Sequence, residues 1–274
     1  MIRLAVRCRP ELAERVLAEL LELAPGGVEE ENAKDWVEYA IYGPPGEVPE
    51  LPELEAAAGD GLVEITSTEI PDDWADRWRD FHRPVEVGGG RILVRPSWEP
   101  ASAPAGALDI VIHPGQAFGT GAHATTSLCL ELLLELADAG EARDPLVDLG
   151  TGSGVLAIAA AKLGWQPVLG CDSEQAAIEA AAENAGANGV EIQLRRINLR
   201  DAPAPSAPTV VANVTAPLLA AVAGGLEGRA RTLVCSGLLA NEVDAVAGAL
   251  AEAGLEVVAR RERGEWAALL ARAR

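Results

Sequence analysis

Residues 147–154 read Val147-Asp148-Leu149-Gly150-Thr151-Gly152-Ser153-Gly154, an apolar strand that runs into three alternating glycines and then into an alanine-rich helical stretch. Glycine tolerates tight turns and lets a ligand approach the backbone. The helix that follows offers unpaired N–H groups to an anion at its first turn. Strand, loop and helix in this order predict a βαβ setting, where ligands sit at the carboxyl ends of the strands. The dinucleotide fingerprint G-x-G-x-x-G would need glycine at 155, where the chain has Val155. Asp148, two residues ahead of the first glycine, is also foreign to that fingerprint. A second acid completes the pattern. Asp172 ends the next apolar strand, 18 residues after Gly154, where a carboxylate can accept both hydroxyls of a ribose. Asp148, Gly150, Gly152, Gly154 and Asp172 together predict a nucleoside-cofactor site.

Helical and strand patterns alternate from residue 127 to the end of the chain. Strands are expected at Pro145–Leu149, Pro167–Cys171, Ile192–Leu194, Val210–Ala212 and Thr232–Cys235, with helices between them and a closing strand pair at Leu255–Ala259 and Trp266–Leu270. Such alternation builds a mostly parallel sheet covered on both faces. The first segment reads differently. Strand candidates at Ile2–Val6, Val37–Ile41 and Gly61–Thr66 enclose helix candidates that begin at Pro10 and Pro52, a ferredoxin-like α+β order. Between the two regions, Trp74, Trp78 and Phe81 fall at i, i+4 and i+7, one face of a connecting helix. Val85–Val87 and Ile92–Val94 flank Gly88-Gly89-Gly90 as a hairpin. The expected organisation is an N-terminal domain at 1–68, a linker helix at 69–83 and a catalytic domain at 84–274.

Two more motifs flank the glycine loop. The run His113-Pro114-Gly115-Gln116-Ala117-Phe118-Gly119-Thr120-Gly121-Ala122-His123-Ala124-Thr125-Thr126 has the glycine spacing of a backbone-shaped loop. Thr125 and Thr126 stand where hydroxyls cap a helix, and Phe118 is a candidate wall for a ligand. His113 and His123 lack clustered Cys or carboxylate partners, so no metal site is expected. Further on, a strand ends at Asn213 and continues as Val214-Thr215-Ala216-Pro217. The glycine loop with Asp148 and Asp172 resembles that of methyltransferases, and those that act on amide or ring-amino nitrogen often carry N-P-P-Y after such a strand. Without that aromatic there is no platform for a planar amide or base, and an aliphatic amine fits better.

The glycine loop with Asp148 and Asp172 resembles the class I S-adenosylmethionine-dependent methyltransferases. Taken with the 113–126 run, Asn213, Ser236-Gly237-Leu238-Leu239 and the Trp98 hairpin, the chain resembles the PrmA family, which methylates the eleventh protein of the large ribosomal subunit. The resemblance implies a Rossmann-like seven-stranded α/β domain whose last strand is antiparallel, behind a small N-terminal substrate-recognition domain. It implies S-adenosylmethionine as cofactor, with Thr126, Gly150, Asp172 and Asn213 as contact positions and Asn198 near the adenine. It implies transfer to lysine ε-amino and N-terminal α-amino groups, and Asn213, through its carbonyl oxygen, and Phe118, as a wall, are the candidates for holding the amine. The competing readings are a methyltransferase for another protein or a small amine, and a ribosome-assembly module that binds the cofactor without turnover.

Charge bears on the partner. The chain carries 22 basic and 42 acidic side chains, net −20, and residues 1–80 alone carry −13. Such a field repels nucleic-acid backbones and attracts a basic, lysine-rich protein. Cys8, Cys129, Cys171 and Cys235 form no CxxC pair, as expected for buried free thiols in a reducing compartment. The uncharged run 202–226 contains four prolines and is not expected to span a membrane. A cytoplasmic location is expected.

Overall fold

The computed structural model describes residues 2–13, 16, 20, 29–33, 36–43, 62–69, 83–104, 106–113, 123–226 and 229–274. The chain divides into two compact units, Met1–Phe81 and His82–Arg274.

In the first unit, β1 (Ile2–Cys8), β2 (Glu29–Asn32), β3 (Val37–Gly43) and β4 (Leu62–Glu69) form an antiparallel sheet in the order β2-β3-β1-β4. Side chains alternate across a strand. Leu4, Val6 and Cys8 therefore share a face with Val37, Tyr39 and Ile41, and this face buries Val16 and Leu20 against it. On the other face Glu38 is buried between two cations of β1. It pairs with Arg3, and its Oε2 lies 2.5 Å from Arg7 Nε. Burial works against the Glu38 carboxylate, but the hydrogen bonds and charges of Arg3 and Arg7 outweigh it, so the pKa is lowered. β2 is not expected from the sequence, because Glu29-Glu30-Glu31-Asn32 has no apolar alternation. Its backbone pairing with β3 makes it an edge strand. The expected Pro52–Ala58 helix and the Trp74–Phe81 helix lie outside the described residues.

The second unit opens with β5 (Val85–Val87), β6 (Ile92–Arg95) and β7 (Leu108–Val111). β5 and β6 form the expected hairpin, and β7, which the sequence pattern does not announce, joins β6 in parallel. After α1 (Ala124–Asp138) come β8 (Leu146–Leu149), α2 (Val155–Leu163), β9 (Val168–Asp172), α3 (Gln175–Ala187) and β10 (Gln193–Arg196). Then follow β11 (Thr209–Asn213), α4 (Ala216–Ala223), β12 (Thr232–Leu239), α5 (Val243–Glu252), β13 (Leu255–Arg263) and β14 (Trp266–Ala273). The seven strands lie in the order β10-β9-β8-β11-β12-β14-β13, with β14 antiparallel to both neighbours. Period 2 divides the sheet's side chains. Val211, Val234 and Leu270 face a core with Leu128 and Ile158, while Val210, Leu233 and Leu269 face a core with Leu219 and Leu250. All four cysteines are buried and free. Burial pushes the Cys171 and Cys235 thiols up to about 12, so they pack as neutral groups. Among the described residues, no helix is long and apolar enough to cross a membrane. The chain runs outward from β8 to β9 and β10 and then returns to β11 on the other side of β8, which places a crevice over the carboxyl ends of β8 and β11.

Candidate active site

The glycine run is the turn from β8 into α2. Gly150 has φ 73°, and a Cβ on it would stand 2.6 Å from Val214 Cγ1, so the turn needs both the left-handed backbone and the missing side chain. Gly150 and Thr151 N–H groups both donate to the Cys171 carbonyl at 2.9 Å, which clamps the turn to the end of β9. Asp172 continues that clamp. Its Oδ2 accepts the Gly152 N–H at 3.0 Å, and its Oδ1 accepts the Glu174 N–H at 3.1 Å. Gly154 is the N-cap of α2.

Asp148 lies under the loop with no exposed surface. Its Oδ2 accepts the Thr151 hydroxyl at 2.7 Å, and its Oδ1 has no hydrogen-bond partner. Burial pushes its pKa from 3.8 up to about 7. The Thr151 hydroxyl and the Ala157 N–H draw it down, and the nearby Asp172 raises it.

Asn213 ends β11 in register with Ser236 of β12. Its Nδ2 donates to Thr126 Oγ1 at 3.3 Å, so the first turn of α1 and the end of β11 meet through side chains. The sequence points to Thr125 and Thr126 as caps of α1. The N-cap is instead His123, whose Nδ1 accepts the Thr125 N–H at 3.4 Å. The His123 ring packs edge-on against Trp266, with centroids 4.8 Å apart. Thr126 is thereby left to receive Asn213.

These parts surround a cavity of about 500 Å³. Thr126, Gly150, Gly152, Asp172, Asn198 and Asn213 line it, with Val214 and Leu218 on its apolar side. Gly154 and Asp148 support the loop from outside the cavity wall, and Phe118 lies outside the described residues. Asn198 lines the cavity and also forms a turn, accepting the Arg200 N–H at 3.1 Å and donating to Asp201 at 2.6 Å. A larger groove of about 880 Å³ opens beside Trp165, Pro167 and Ile192, at the amino ends of β9 and β10. It lies away from the glycine turn and Asn213, and we place the chemistry in the smaller cavity. There the residues fit a nucleoside methyl donor. The glycine turn leaves room for a ligand against the backbone, Asp172 offers carboxylate oxygens, and Ile197 and Leu199 offer an apolar wall.

The family model described as ribosomal protein L11 methyltransferase (PrmA) matches residues 1–274. The chain belongs to the PrmA family. A ribosomal protein L11 methyltransferase of Symbiobacterium thermophilum is 36% identical over 304 residues, covering 98% of each chain. One of Pelotomaculum thermopropionicum is 37% identical, covering 99% of this chain and 98% of its own. Among solved structures, a ribosomal protein L11 methylase of Lactobacillus delbrueckii subsp. bulgaricus superposes with a TM-score of 0.63 at 30% identity, over 70% of this chain and all of its own. This PrmA chain is thus an S-adenosylmethionine-dependent protein methyltransferase with a Rossmann-like seven-stranded catalytic sheet. Sequence reasoning missed the clamp between Asp172 and Gly152 and the role of Thr151. The signal for Thr151 was present, since a hydroxyl three residues after a buried acid is placed to turn back onto it.

Proposed function

We propose that the protein transfers methyl groups to lysine ε-amino groups and the N-terminal α-amino group of ribosomal protein L11, in the cytoplasm. When bound, S-adenosylmethionine supplies a methyl already activated by its sulfonium. The protein's task is then to align an amine with it and to exclude water. Asn213 carries this reading. Its Nδ2 is committed to Thr126 Oγ1, which leaves its carbonyl oxygen to accept an N–H of the incoming amine. The turn after it, Val214-Thr215-Ala216-Pro217, carries no aromatic ring to stack a planar group.

A lysine amine has a reference pKa of about 10.4 and attacks only when neutral. Val214 and Leu218 line the cavity and desolvate an ammonium brought to it, which lowers that pKa. With the donor bound, the amine held at Asn213 would take the methyl and give its proton to water, leaving the electrons of the broken S–C bond on the donor's sulfur. We assign Asp172 to the ribose, Gly150 and Gly152 to the methionine portion, Thr126 to the orientation of Asn213, and Asp148 and Gly154 to support of the loop. Phe118 is assigned to the wall beside the amine. Residues 1–68 are the substrate-recognition domain and 69–83 its connection to the catalytic domain at 84–274. Their acidity suits a basic, lysine-rich protein rather than nucleic acid.

The test is mass spectrometry of purified large-subunit ribosomal proteins after incubation with the protein and S-adenosylmethionine. Gains of whole methylene units on L11 are expected, at lysines and at the N-terminus. Asn213→Ala should lower kcat by about tenfold or more while the cofactor still binds. Gains on other proteins or on small amines alone would replace L11 as the substrate. Cofactor binding without any methylation would leave a non-catalytic binding module.

A further inference from the structure

Asn184 is fully buried on α3, and both ends of its amide are used. Nδ2 donates to the Ser153 carbonyl at 2.8 Å, inside the glycine turn. Oδ1 accepts the His113 N–H at 2.8 Å, just beyond β7. One helical turn later, Asn188 grips the same strand. Its Oδ1 accepts the Val111 N–H at 2.9 Å, and its Nδ2 donates to the Val111 carbonyl at 2.6 Å. Four helical residues rise about 6 Å, and two strand residues advance about 6.6 Å. The two asparagines therefore meet Val111 and His113 much as a neighbouring strand would.

Asn188 holds β7 and, through Nδ2, the Asn184 carbonyl of its own helix at 2.8 Å, whereas the Asn184 side chain reaches the loop that lines the cavity. His113 begins the glycine-rich run that leads to α1, and α1 brings Thr126 to Asn213. One amide thus ties the glycine turn to the residue just beyond β7. Removing it would take one hydrogen bond from the carbonyl of the buried Ser153 and one from the His113 N–H. We propose that Asn184 is a positioning residue, which fixes the cofactor loop against the end of β7, so that cofactor affinity depends on a side chain that touches no cofactor. The proposal rests on the assignment of the glycine turn to the cofactor.

Asn184→Asp separates this role from simple packing. As a neutral acid, the new side chain still donates to Ser153 and accepts from His113. As a carboxylate, it faces the Ser153 carbonyl with no proton. Burial raises the pKa of such a carboxyl, so the two forms are sampled at about pH 5.5 and about pH 8. The full-length protein is titrated calorimetrically with S-adenosylhomocysteine at both pH values, and each variant's Kd is divided by that of the wild type. For Asn184→Asp the ratio should be about tenfold or more at high pH and fall toward one at low pH. Asn188→Asp should lower Tm without changing Kd. A ratio within about twofold at high pH in folded protein, or the same ratio at both pH values, overturns the proposal. If Asn184→Asp does not fold at high pH, Asn184→Ser takes its place, and a wild-type Kd there overturns it equally. Asp172→Ala separates the two levels. If it leaves the affinity unchanged, the cofactor lies elsewhere and both readings fall. If it weakens binding while the Asn184 variants do not, the positioning role alone falls.

Discussion

Asp148 shows how one residue can be legible in kind and illegible in state. Its place ahead of the glycines was plain from the sequence, but its full burial and unpaired Oδ1 depend on what closes over it. The folded protein holds this proton up to a pKa of about 7, whereas the unfolded chain loses it near 3.8. Between those values the folded state binds more protons, so stability from this group falls as pH rises through the window and stays low above it. An amide in place of the carboxyl keeps an acceptor for Thr151 without the charge. Asp148→Asn should therefore match the wild type near pH 4 and exceed it at pH 8, by about 4 kcal/mol at most. Urea midpoints measured across that range decide this, and a gap independent of pH would refute the account. Asp172 teaches a similar lesson. Its position after an apolar strand marked it as an acid for a ribose, but no periodicity shows that it also holds the Gly152 N–H.

At the level of elements, legibility followed burial. The inner strands β8, β9 and β11 are apolar runs closed by turn residues and were readable within one residue, whereas β12, β13 and β14 run three or four residues past their expected ends. β2 and β7 were not readable, because the first is a polar edge strand and the second a short segment whose partners are distant in sequence. The bulge in β12 was equally hidden. Gly237 has φ 84°, and a Cβ on it would stand 2.4 Å from the Val214 carbonyl oxygen, a backbone atom that cannot swing aside. Since Val214 follows Asn213, the bulge packs against the backbone next to the residue proposed to hold the amine. Gly237→Ala should therefore lower Tm and reduce kcat/KM by about tenfold or more, as Asn213 is displaced. Gly248 sits within α5 with nothing near its would-be Cβ. Gly248→Ala should raise stability by about 0.5–1 kcal/mol and leave kinetics alone. Thermal melts and steady-state assays of the two variants test the contrast, and equal effects would show that the bulge carries no special role.

For the whole molecule, the excess of acid is the property most directly tied to a partner. Several arginines in the catalytic unit are already engaged with carboxylates, as Arg261 is with Glu135, Arg263 with Glu131 and Arg272 with Glu141. Exposed pairs of this kind add little to stability, and they leave unchanged the net −20, which already counts these arginines. A field of that sign reaches about 10 Å at 0.1 M salt and shortens as salt is added. It speeds the encounter of a cationic substrate more than it strengthens the final contacts. Raising salt from about 0.05 to about 0.5 M should thus lower kcat/KM for L11 by about tenfold, mostly through KM. A short neutral peptide carrying one lysine, run under the same conditions, should respond far less. If both substrates lose activity in parallel, the acidity serves solubility, and recognition of L11 must rest on shape and local contacts instead.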